Sequence, residues 1–495
     1  MPLKTLKQYF GYDQFRAGQL EIVNSILNQK DTLAILATGG GKSICFQIPG
    51  LIFPGTTLVI SPLISLMKDQ VDALNKKNIA ATYLNSSLEK KELKKRLKQM
   101  EQGLYKFVYL APERLTNKNF IKACQKISIP LIAVDEAHCI SMWGHDFRPS
   151  YKKIPDFYQL LKTRPTIAAF TATATDLVIK DIISLLCLNK VNKFINSFRR
   201  DNLFINIYQC QTQFQKLFLL LKIIKIHKNK AGIIYCSTRE ATEEISRLIN
   251  HLNFQNAISS KKILAYHAGL DKEQRSLIQE EFINNKIDLI AATNAFGMGV
   301  DKSNIRFVIH YQIPGNIENY YQEIGRAGRD RQPSSCYLLT NQKDIQIQMQ
   351  FINSSYQDKK NPRLKIEVNK LKAMVEYAVN KQCHHQTILE YFEEKTEQKN
   401  CHQCNLCSKK LLYFSQKEKS VCELLDQFRK KLAQKFQISP TEIMTEKIIK
   451  LISLLKPQTQ NDFLKLPGIG RGWLKKWYNL VIKNLAGAYY ANDNS

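Results

Sequence analysis

The residues with the clearest chemical potential begin with a glycine-rich segment that ends in a lysine and a serine. Thr38-Gly39-Gly40-Gly41-Lys42-Ser43 follows a short apolar run at 33–37. Glycines let backbone amides surround a phosphate at a helix N-terminus, where the helix dipole also favours an anion. In such a loop the lysine neutralises the β- and γ-phosphates, and the serine hydroxyl binds Mg²⁺. The pattern predicts a phosphate-binding loop, although Leu36 stands where the strict motif has glycine, so a glycine-rich turn is the alternative.

Two adjacent acidic residues follow another apolar run about ninety residues further along. The run at 131–134 ends in Asp135-Glu136-Ala137-His138. A carboxylate at the C-terminal end of a buried strand is well placed to hold Mg²⁺, and a second carboxylate can position the attacking water. We therefore predict that Asp135 holds the metal and that Glu136 aligns the water. A solvated acidic turn is the alternative when these four residues are considered alone.

Two arginines three residues apart form the third group. They belong to Gln322-Glu323-Ile324-Gly325-Arg326-Ala327-Gly328-Arg329-Asp330, and their spacing predicts that Arg326 and Arg329 share one face of a helix. Fixed guanidinium groups can neutralise the transition state of phosphoryl transfer from across a cleft. By itself the segment could be a charged helix cap. Together with the two preceding motifs it predicts an ATPase whose site lies between two lobes.

Four cysteines within 25 residues have the spacing of metal ligands. Cys383 stands 18 positions before Cys401, and Cys404 and Cys407 follow at intervals of two intervening residues. Four such thiolates can surround one tetrahedral Zn²⁺ ion, which would stabilise the fold and take no part in catalysis. An iron–sulfur cluster is the alternative metal centre, because it also accepts four cysteines.

The elements that must position these residues are visible as alternating short apolar runs and longer amphipathic stretches from Asp31 to about Thr340. We predict buried strands at the apolar runs, which are 33–37, 57–61, 107–110, 131–134, 167–170, 232–235, 263–266, 289–292 and 308–310. A helix is predicted at 89–100, and helices dominate after Asp344. The expected fold is α/β, with two parallel-sheet lobes joined near 197–202 and followed by helical segments.

Composition limits the classes of function. The chain has 495 residues, 72 Lys plus Arg against 43 Asp plus Glu, and a net charge of +29. An excess of this size favours a polyanionic partner, nucleic acid before a membrane surface. The longest dense apolar stretch, 217–226, is interrupted by Lys222 and Lys225 and is too short to span a bilayer. We therefore expect neither a membrane protein nor a secreted one, and the free thiols favour a reducing cytoplasm.

The order and spacing of the motifs resemble superfamily 2 helicases, and within them the RecQ family. The resemblance extends from residue 6 to residue 407, and its collinear segments are 10–19, 38–43 (TGGGKS), 61–70, 111–115, 135–138 (DEAH), 170–175, 234–239, 295–302 and 322–330 (QEIGRAGRD). It implies two RecA-like lobes with ATP and Mg²⁺ between them. The implied activity is ATP-dependent unwinding of DNA, with 3′ to 5′ movement on single strands, in repair and recombination.

The resemblance also implies which side chains bind the nucleotide. Tyr12, Arg16 and Gln19 are expected to recognise adenine, because an aromatic or guanidinium plane can stack on a base while an amide pairs with its edge. Considered without the family, these residues would be part of an N-terminal helix cap. The side chains implied on the second lobe are Gln322, Arg326 beside the γ-phosphate and Arg329 as the arginine finger.

Further residues are implied to couple hydrolysis to movement or to contact DNA. Thr171 and Thr173 lie in a segment similar to the family's hinge motif. Asp301 and Lys302 resemble the motif of the second lobe that responds to the bound nucleotide. Ser61, in the segment 61–70, is grouped with these coupling and DNA-contacting residues.

The loop from Cys139 to Pro149 is expected to sense DNA. Trp143, His145, Phe147 and Arg148 offer stacking faces and a cation, and stacking is worth roughly 1–3 kcal/mol per base. From the residues alone, burial of the aromatic rings against the lobe is an equal alternative. The loop resembles the aromatic-rich loop of RecQ proteins, which switches on hydrolysis when single-stranded DNA binds. Because DEAD-box RNA helicases lack this segment, the resemblance implies DNA as the substrate.

The C-terminal part resembles the helical HRDC domain shared by RecQ helicases and RNase D. Its Pro467-Gly468-Ile469-Gly470 turn could hold DNA phosphate on backbone amides, with a simple packing turn as the alternative. The implied division is lobe 1 at 1–197, lobe 2 at 198–342, a helical zinc-binding domain at 343–410 and an HRDC-like domain at 418–487. Between Cys407 and Phe414 there is no room for the winged-helix domain of many RecQ proteins, so its strand-separating hairpin is expected to be absent.

The expected partners follow from this identification. They are single-stranded and partially duplex DNA, with single-strand-binding protein or other repair proteins as protein partners and no membrane. A monomer is expected, acting in the cytoplasm and associated with the nucleoid if the source is bacterial.

Overall fold

The computed structural model describes residues 1–62, 64–85, 88–259, 261–296, 302–356, 358, 360–397, 400–409, 412 and 416–490. Two parallel sheets form the core of this part of the chain. The strands of the first sheet are β1 Thr32–Ile35, β2 Thr57–Ile60, β3 Ala81–Leu84, β4 Phe107–Leu110, β5 Leu131–Val134, β6 Thr166–Thr171 and β7 Asn192–Ile195. Those of the second are β8 Leu203–Gln209, β9 Ala231–Tyr235, β10 Leu264–Tyr266, β11 Leu289–Ala292, β12 Ile305–His310 and β13 Ser334–Thr340.

The first sheet has the order β3-β4-β2-β5-β6-β1-β7 and the second β10-β11-β9-β12-β13-β8. All the pairings are parallel; Thr32 aligns with Ala168 of β6, and Leu131 with Thr166. Parallel strands need crossovers, and helices cover both faces, which explains why most strands read as continuous apolar runs. Since β5, β6 and β1 are neighbours, the segments that follow them meet at one edge of the sheet.

Helices pack on both sheets and then continue without strands. Those around the first sheet are α1 Pro2–Phe10, α2 Gln19–Leu27, α3 Lys42–Ile52, α4 Ile64–Asn75, α5 Lys90–Glu101, α6 Lys118–Cys124, α7 Ile154–Gln159 and α8 Asp176–Leu185. Those around the second are α9 Gln213–Ile226, α10 Arg239–Leu252, α11 Lys272–Ile283 and α12 Ile317–Ile324. We call the two units lobe 1 and lobe 2.

Two helical units follow the second sheet. The zinc module comprises α13 Gln342–Ser355, α14 Pro362–Val379, α15 His384–Tyr391 and α16 Asn405–Ser408. The C-terminal bundle comprises α17 Gln416–Phe436, α18 Pro440–Ile443, α19 Glu446–Leu455, α20 Gln460–Leu464 and α21 Arg471–Tyr490. Only eight residues separate Cys407 from the start of α17, which leaves no space for a winged helix between the two units.

The C-terminal bundle docks on lobe 2 through α9, and the two share one apolar core. The α9 sequence is apolar nearly all round, and most of its aliphatic side chains are buried, together with Lys216 and Lys222. A helix of this kind must be covered on more than one face. The second lobe's sheet covers one side, and the bundle covers the other. The apolar stretch at 217–226 is therefore a helix between two units.

The predicted fold class is confirmed, and so are the predicted strands, within one residue at most ends. The prediction for β12 was too short, and β3, β7, β8 and β13 were missed because polar residues interrupt them. One prediction about the arginines was wrong. Arg326 and Arg329 do not share a helix face, because α12 ends at Ile324 and the chain continues in turns, with Gly328 at a φ of +57°.

None of the helices in the described ranges combines the length and the apolar character needed to cross a membrane.

Candidate active site and zinc centre

The predicted phosphate loop lies between β1 and α3. The chain leaves the sheet after Ile35, and α3 begins at Lys42, as the motif requires. Gly39 and Gly41 have φ values of +80° and +79°, a region that side-chain-bearing residues rarely adopt. This turn directs backbone amides and the N-terminus of α3 into the same space, which is an arrangement suited to binding phosphate.

Arg16 and Gln19 reach the phosphate loop from the N-terminal segment. The Arg16 guanidinium donates to the carbonyl of Gly39, and the Gln19 amide donates to the carbonyls of Gly40 and Gly41 at 3.1 and 3.2 Å. Tyr12 is more than half exposed at the mouth of the same cleft. The three predicted adenine-recognition residues are therefore brought together, and two of them also support the loop that faces the phosphates.

The two carboxylates follow β5 at the adjacent edge of the sheet. Glu136 has a φ of +48°, a left-handed conformation that costs a non-glycine residue roughly 1–2 kcal/mol. It places a carboxylate oxygen 3.6 Å from the Lys42 ammonium. Asp135 is anchored by its backbone, which receives a hydrogen bond from Tyr151 Oη at 2.9 Å. Burial and the neighbouring Glu136 carboxylate raise the pKa of Asp135 to about 6.

A chain of short polar contacts leads from the carboxylates to lobe 2. His138 Nδ1 lies 3.4 Å from Glu136 Oε2 and 2.8 Å from Thr171 Oγ1. Thr171 Oγ1 also donates to the carbonyl of Thr173 at 3.0 Å, so His138, Thr171 and Thr173 form one connected set of hydrogen bonds. The Gln322 amide then donates to Thr173 Oγ1 at 3.5 Å. The predicted hinge residues Thr171 and Thr173 therefore connect Asp135 and Glu136, which we call the acidic pair, with α12.

The arginine loop, residues 325–329, lies directly against the phosphate loop. A Cβ atom on Gly325 would lie 2.9 Å from Thr38 Cβ, and one on Gly39 would lie 3.1 Å from Arg329 Cγ. Arg326 is largely buried, and its charge lowers the pKa of Tyr235 against the stronger effect of burial, which raises it to about 12. Both arginines line a cleft of about 820 Å³ together with Lys42, Asp135 and Glu136.

The loop at 139–149, which we call the aromatic loop, contacts His138 beside the acidic pair on one side and the zinc module on the other. The His145 ring stacks on His138, with ring centres 4.1 Å apart. Phe147 lies between two cations, with Arg363 of α14 at 5.1 Å from the ring centre and Lys152 at 5.3 Å. Trp143 is 43% exposed. Of the predicted stacking faces, the indole is thus the one open to solvent.

Arg148 holds the end of this loop on lobe 1. Its Nε donates to Asp146 at 3.0 Å, and its Nη1 donates to the carbonyl of Pro62 at 2.9 Å. Pro62 belongs to the segment that follows β2. Arg148 therefore connects the aromatic loop with a second predicted DNA-contacting segment and braces both.

The predicted coupling residues outside the hinge segment are Ser61, Asp301 and Lys302. Ser61 is 1% exposed, so its hydroxyl is not available to DNA in this conformation. Lys302 was predicted as a coupling residue; its ammonium donates to the Asn285 side chain and lies over the Phe282 ring at 5.1 Å, inside lobe 2. Its coupling role stays a prediction. Asp301 lies outside the described residues.

The four predicted cysteines form one compact cluster. Their sulfur atoms all lie within 4.8 Å of one another. Thiolates that bind one ion at about 2.3 Å must lie this close together, so the set fits a single Zn²⁺ and is tight for a multi-iron cluster. Hydrogen bonds within the cluster lower the pKa of Cys383 and raise the pKa values of Cys401 and Cys404, because the sulfur atoms share protons at this short range.

The zinc centre is attached to the edge strand of lobe 2. Ile205 N donates to the Gln403 carbonyl at 2.9 Å, so the cysteine segment extends the sheet beside β8. The His385 Nε2–H donates to the Leu203 carbonyl at 3.0 Å, and His384 contacts Asn405. The metal site therefore fixes the start of β8 and the segment between the two sheets.

Sequence reasoning missed the side chain that joins the two loops of the cleft. Arg200, in the connection between β7 and β8, donates to backbone carbonyls of both the phosphate loop and the arginine loop. The available signal was the Arg199-Arg200 pair at the predicted junction of the lobes. Lys370 of α14 was also missed; it pairs with Glu318 of α12 at 2.8 Å, and no pattern in the sequence indicated this contact.

Family models match four consecutive parts of the chain. They are DEAD/DEAH box helicase at 16–182, helicase conserved C-terminal domain at 215–331, RecQ zinc-binding at 342–408 and HRDC domain at 418–485. No family model of the winged-helix domain matches. The zinc-binding match includes all four clustered cysteines.

Similar proteins include two helicases of Bacillus subtilis. The ATP-dependent DNA helicase RecQ is 45% identical over 404 residues, which are 81% of this chain and 66% of the relative. RecS is 41% identical over 350 residues, which are 70% of this chain and 68% of the relative. The chain thus spans slightly less than two thirds of the length of that RecQ. Among solved structures, Mss116p bound to single-stranded RNA and AMP-PNP has a TM-score of 0.58 at 16% identity, covering 98% of this chain and 94% of that one, a likeness of fold alone.

Proposed function

The chain belongs to the RecQ family of DEAD/DEAH-box helicases, and from this membership we propose that it is an ATP-dependent DNA helicase that moves 3′ to 5′ on single strands. The observation that carries the proposal is the cleft between the lobes. Lys42 and the DEAH carboxylates line it on one side, and the two arginines of the arginine loop line it on the other. Hydrolysis in such a site depends on the distance between lobes, which is the requirement for a motor.

We propose the following roles for the residues of the cleft. Lys42 and the amides of 39–43 bind the β- and γ-phosphates, while Tyr12, Arg16 and Gln19 bind the adenine. Glu136, held by Lys42 and the His138 ring, aligns the attacking water. Arg329 acts as the arginine finger, with Arg326 beside the γ-phosphate and Gln322 between the nucleotide and Thr173.

Ser43 and Asp135 are the residues that would hold Mg²⁺. The donor set supports this, because hydroxyl and carboxylate oxygens are the ligands that Mg²⁺ prefers, and Asp135 and Glu136 place two carboxylates side by side in the cleft. When bound, the ion neutralises charge on the transferring phosphate. The protein's own contribution is the orientation of the carboxylate, through Tyr151 and the backbone of β5.

The exposed Trp143 ring is proposed to stack on a DNA base. The loop at 139–149 would then transmit DNA binding to the ATP cleft. His145 contacts His138, which contacts Glu136, so a displacement of the loop changes the position of the residue that aligns the water. Thr171 and Thr173 support this path from within lobe 1, and Ser61 is proposed to act from the segment after β2. DNA binding is therefore proposed to stimulate hydrolysis through these rings.

The remaining assignments are also proposals. We propose a division into domains at 1–197, 198–342, 343–410 and 418–487, in which the C-terminal bundle would add a basic surface for DNA. We expect a monomer that acts in the cytoplasm and meets single-strand-binding or other repair proteins. The free cysteines outside the zinc cluster support a reducing compartment.

The test is to measure ATP hydrolysis and strand separation together on 3′-tailed, 5′-tailed and blunt DNA duplexes, with a 3′-tailed RNA duplex as comparison. The proposal requires unwinding of the 3′-tailed DNA duplex and hydrolysis stimulated by DNA. Lys42→Ala should remove both activities, whereas Lys126→Ala, an exposed lysine on the same lobe, should retain them. Stimulation by RNA alone would contradict the substrate, and hydrolysis without strand separation would contradict the helicase activity while leaving a translocase.

A further inference from the structure

Arg200 connects the two loops that form the cleft. Its Nη1 donates to the carbonyl of Thr38 in the phosphate loop at 3.0 Å. Its Nη2 donates to the carbonyls of Ala327 and Gly328 in the arginine loop, both at 3.1 Å, and Nη1 lies 3.5 Å from the Gly325 carbonyl. One planar guanidinium therefore gathers carbonyls from two lobes, which a single ammonium group cannot do with the same geometry.

The environment of Arg200 is unusual for a charged residue. Burial lowers its pKa, and no ion pair joins it to a carboxylate in the described part of the chain. All the acceptors of its Nη atoms are neutral carbonyls. Arg200 is partly buried, and a partly desolvated charge without a counter-charge costs free energy, so its retention at this position needs a reason beyond packing.

The backbone that carries Arg200 is fixed to the lobe 2 side. The Phe198 ring stacks on Phe392 of the zinc module at 4.3 Å between ring centres. Tyr321 Oη of α12 donates to the Phe198 carbonyl at 2.8 Å. Because these contacts and the arginine-loop bonds all lie on that side, the bond to Thr38 is the contact of Arg200 that reaches across to lobe 1.

We propose that Arg200 is a positioning residue for ATP hydrolysis, which holds the arginine loop in place on the phosphate loop. This inference rests on the proposed function. In the observed arrangement Gly325 packs against Thr38, and Arg329 packs against Gly39, with no room for a Cβ at either glycine without movement. When the lobes separate, the Arg200–Thr38 bond breaks while the bonds to the arginine loop remain. Arg200 does not line the cleft, so it acts through the loops that do.

The test compares Arg200→Lys and Arg200→Gln with the wild-type chain, using Arg331→Gln as the matched control. Arg331 is exposed just beyond the arginine loop, so the control removes a charge nearby without removing the bridge. We expect the DNA-stimulated kcat to fall by about tenfold or more in both Arg200 variants, with the Kd for ADP changed by less than about twofold. The reason is that Arg16 and Gln19 still hold the phosphate loop from within lobe 1 when the Arg200–Thr38 bond is lost.

A second measurement separates this inference from the proposed function. Hydrogen exchange of the backbone amides in 325–331 should be faster in Arg200→Lys than in the wild-type and Arg331→Gln proteins without nucleotide. Unchanged exchange, an unchanged kcat, or a loss of ADP affinity in proportion to kcat would each overturn the positioning role. A wild-type chain without ATP turnover would overturn the proposed function, and the exchange measurement would still decide the role of Arg200.

Discussion

The rings of His138 and His145 stack at 4.1 Å with an angle of 22° between their planes, and this contact joins the aromatic loop to the acidic pair of the active site. Burial lowers the pKa of His138 to about 3 and that of His145 well below its usual value, so both rings are neutral near pH 7. Neutral rings can stack without charge repulsion. The aromatic loop and Glu136, which we propose to sense DNA and to align the water, are therefore separated by a single imidazole.

Replacing His145 should uncouple hydrolysis from DNA. In His145→Ala the loop loses its contact with His138, and we expect the ratio of DNA-stimulated to unstimulated turnover to fall by about tenfold, within the range of one lost positioning contact. The measurement is steady-state ATP turnover with and without a saturating single strand. His251→Ala, which removes an exposed histidine at the end of α10, is the matched control. Full stimulation in His145→Ala would show that the stacked pair does not transmit DNA binding.

Asp135→Asn should abolish hydrolysis and yet stabilise the free protein. The native pKa of about 6 lies above the value of about 3.9 expected in the unfolded chain. The ionised carboxylate therefore destabilises the native state above pH 6, and this penalty declines as pH falls from about 6 towards 4. The amide keeps the same shape without the charge.

Urea unfolding at two pH values checks this prediction. We expect Asp135→Asn to raise the free energy of unfolding by about 1–3 kcal/mol at pH 7.5 and by less at pH 5. The control is Asp156→Asn, which changes an exposed carboxylate paired with Lys153 at 3.7 Å. Equal stabilisation at both pH values would mean that the effect does not come from the charge of Asp135.

Removal of the metal should loosen the edge of lobe 2 before the rest of the chain. The cluster holds the segment 403–405 beside β8, so chelation or Cys404→Ser should increase amide exchange at Ile205 and Ile207 and lower stability by several kcal/mol. The wild-type chain should contain one zinc per molecule by elemental analysis. Cys187→Ser, which changes an exposed cysteine outside the cluster, should keep the metal. Iron with sulfide in place of zinc would contradict the single-ion assignment.

Most of the fold could be predicted from the sequence, because the buried strands are short apolar runs that alternate with longer amphipathic helices. The run Leu131–Val134 shows why, since both faces of that strand are covered and polar residues are excluded. The missed β7 is an edge strand that combines two polar with two apolar residues and is mostly exposed, so its pairing with β1 depends on neighbours that are distant in the sequence. Such a strand carries no local signal.

Site residues could be predicted where glycines or charged residues form known motifs in the expected order along the chain, as in 38–43 and 135–138. Side-chain positions that depend on contacts between distant segments could not be predicted. The α-helical spacing of Arg326 and Arg329 suggested a shared helix face, but Arg200 and Asn202 bind the carbonyls that a continuing helix would use. The direction of the Lys302 side chain likewise depends on Asn285, which no spacing rule connects to it.

The C-terminal bundle should behave as a fixed part of lobe 2, because Lys222 of α9 and Glu418 of α17 form a largely buried ion pair at 2.8 Å beside a shared apolar core. Removing one partner leaves the other charge buried, so Lys222→Gln and Glu418→Gln should each destabilise the chain. In a double-mutant cycle by urea unfolding we expect a coupling energy of about 1–3 kcal/mol. The exposed pair Lys126–Glu101, also at 2.8 Å, provides the comparison and should couple by less than about 1 kcal/mol. A bundle tethered without docking would give no coupling at Lys222–Glu418 and a separate unfolding transition, and lobe 2 would then be free to move without its C-terminal neighbour.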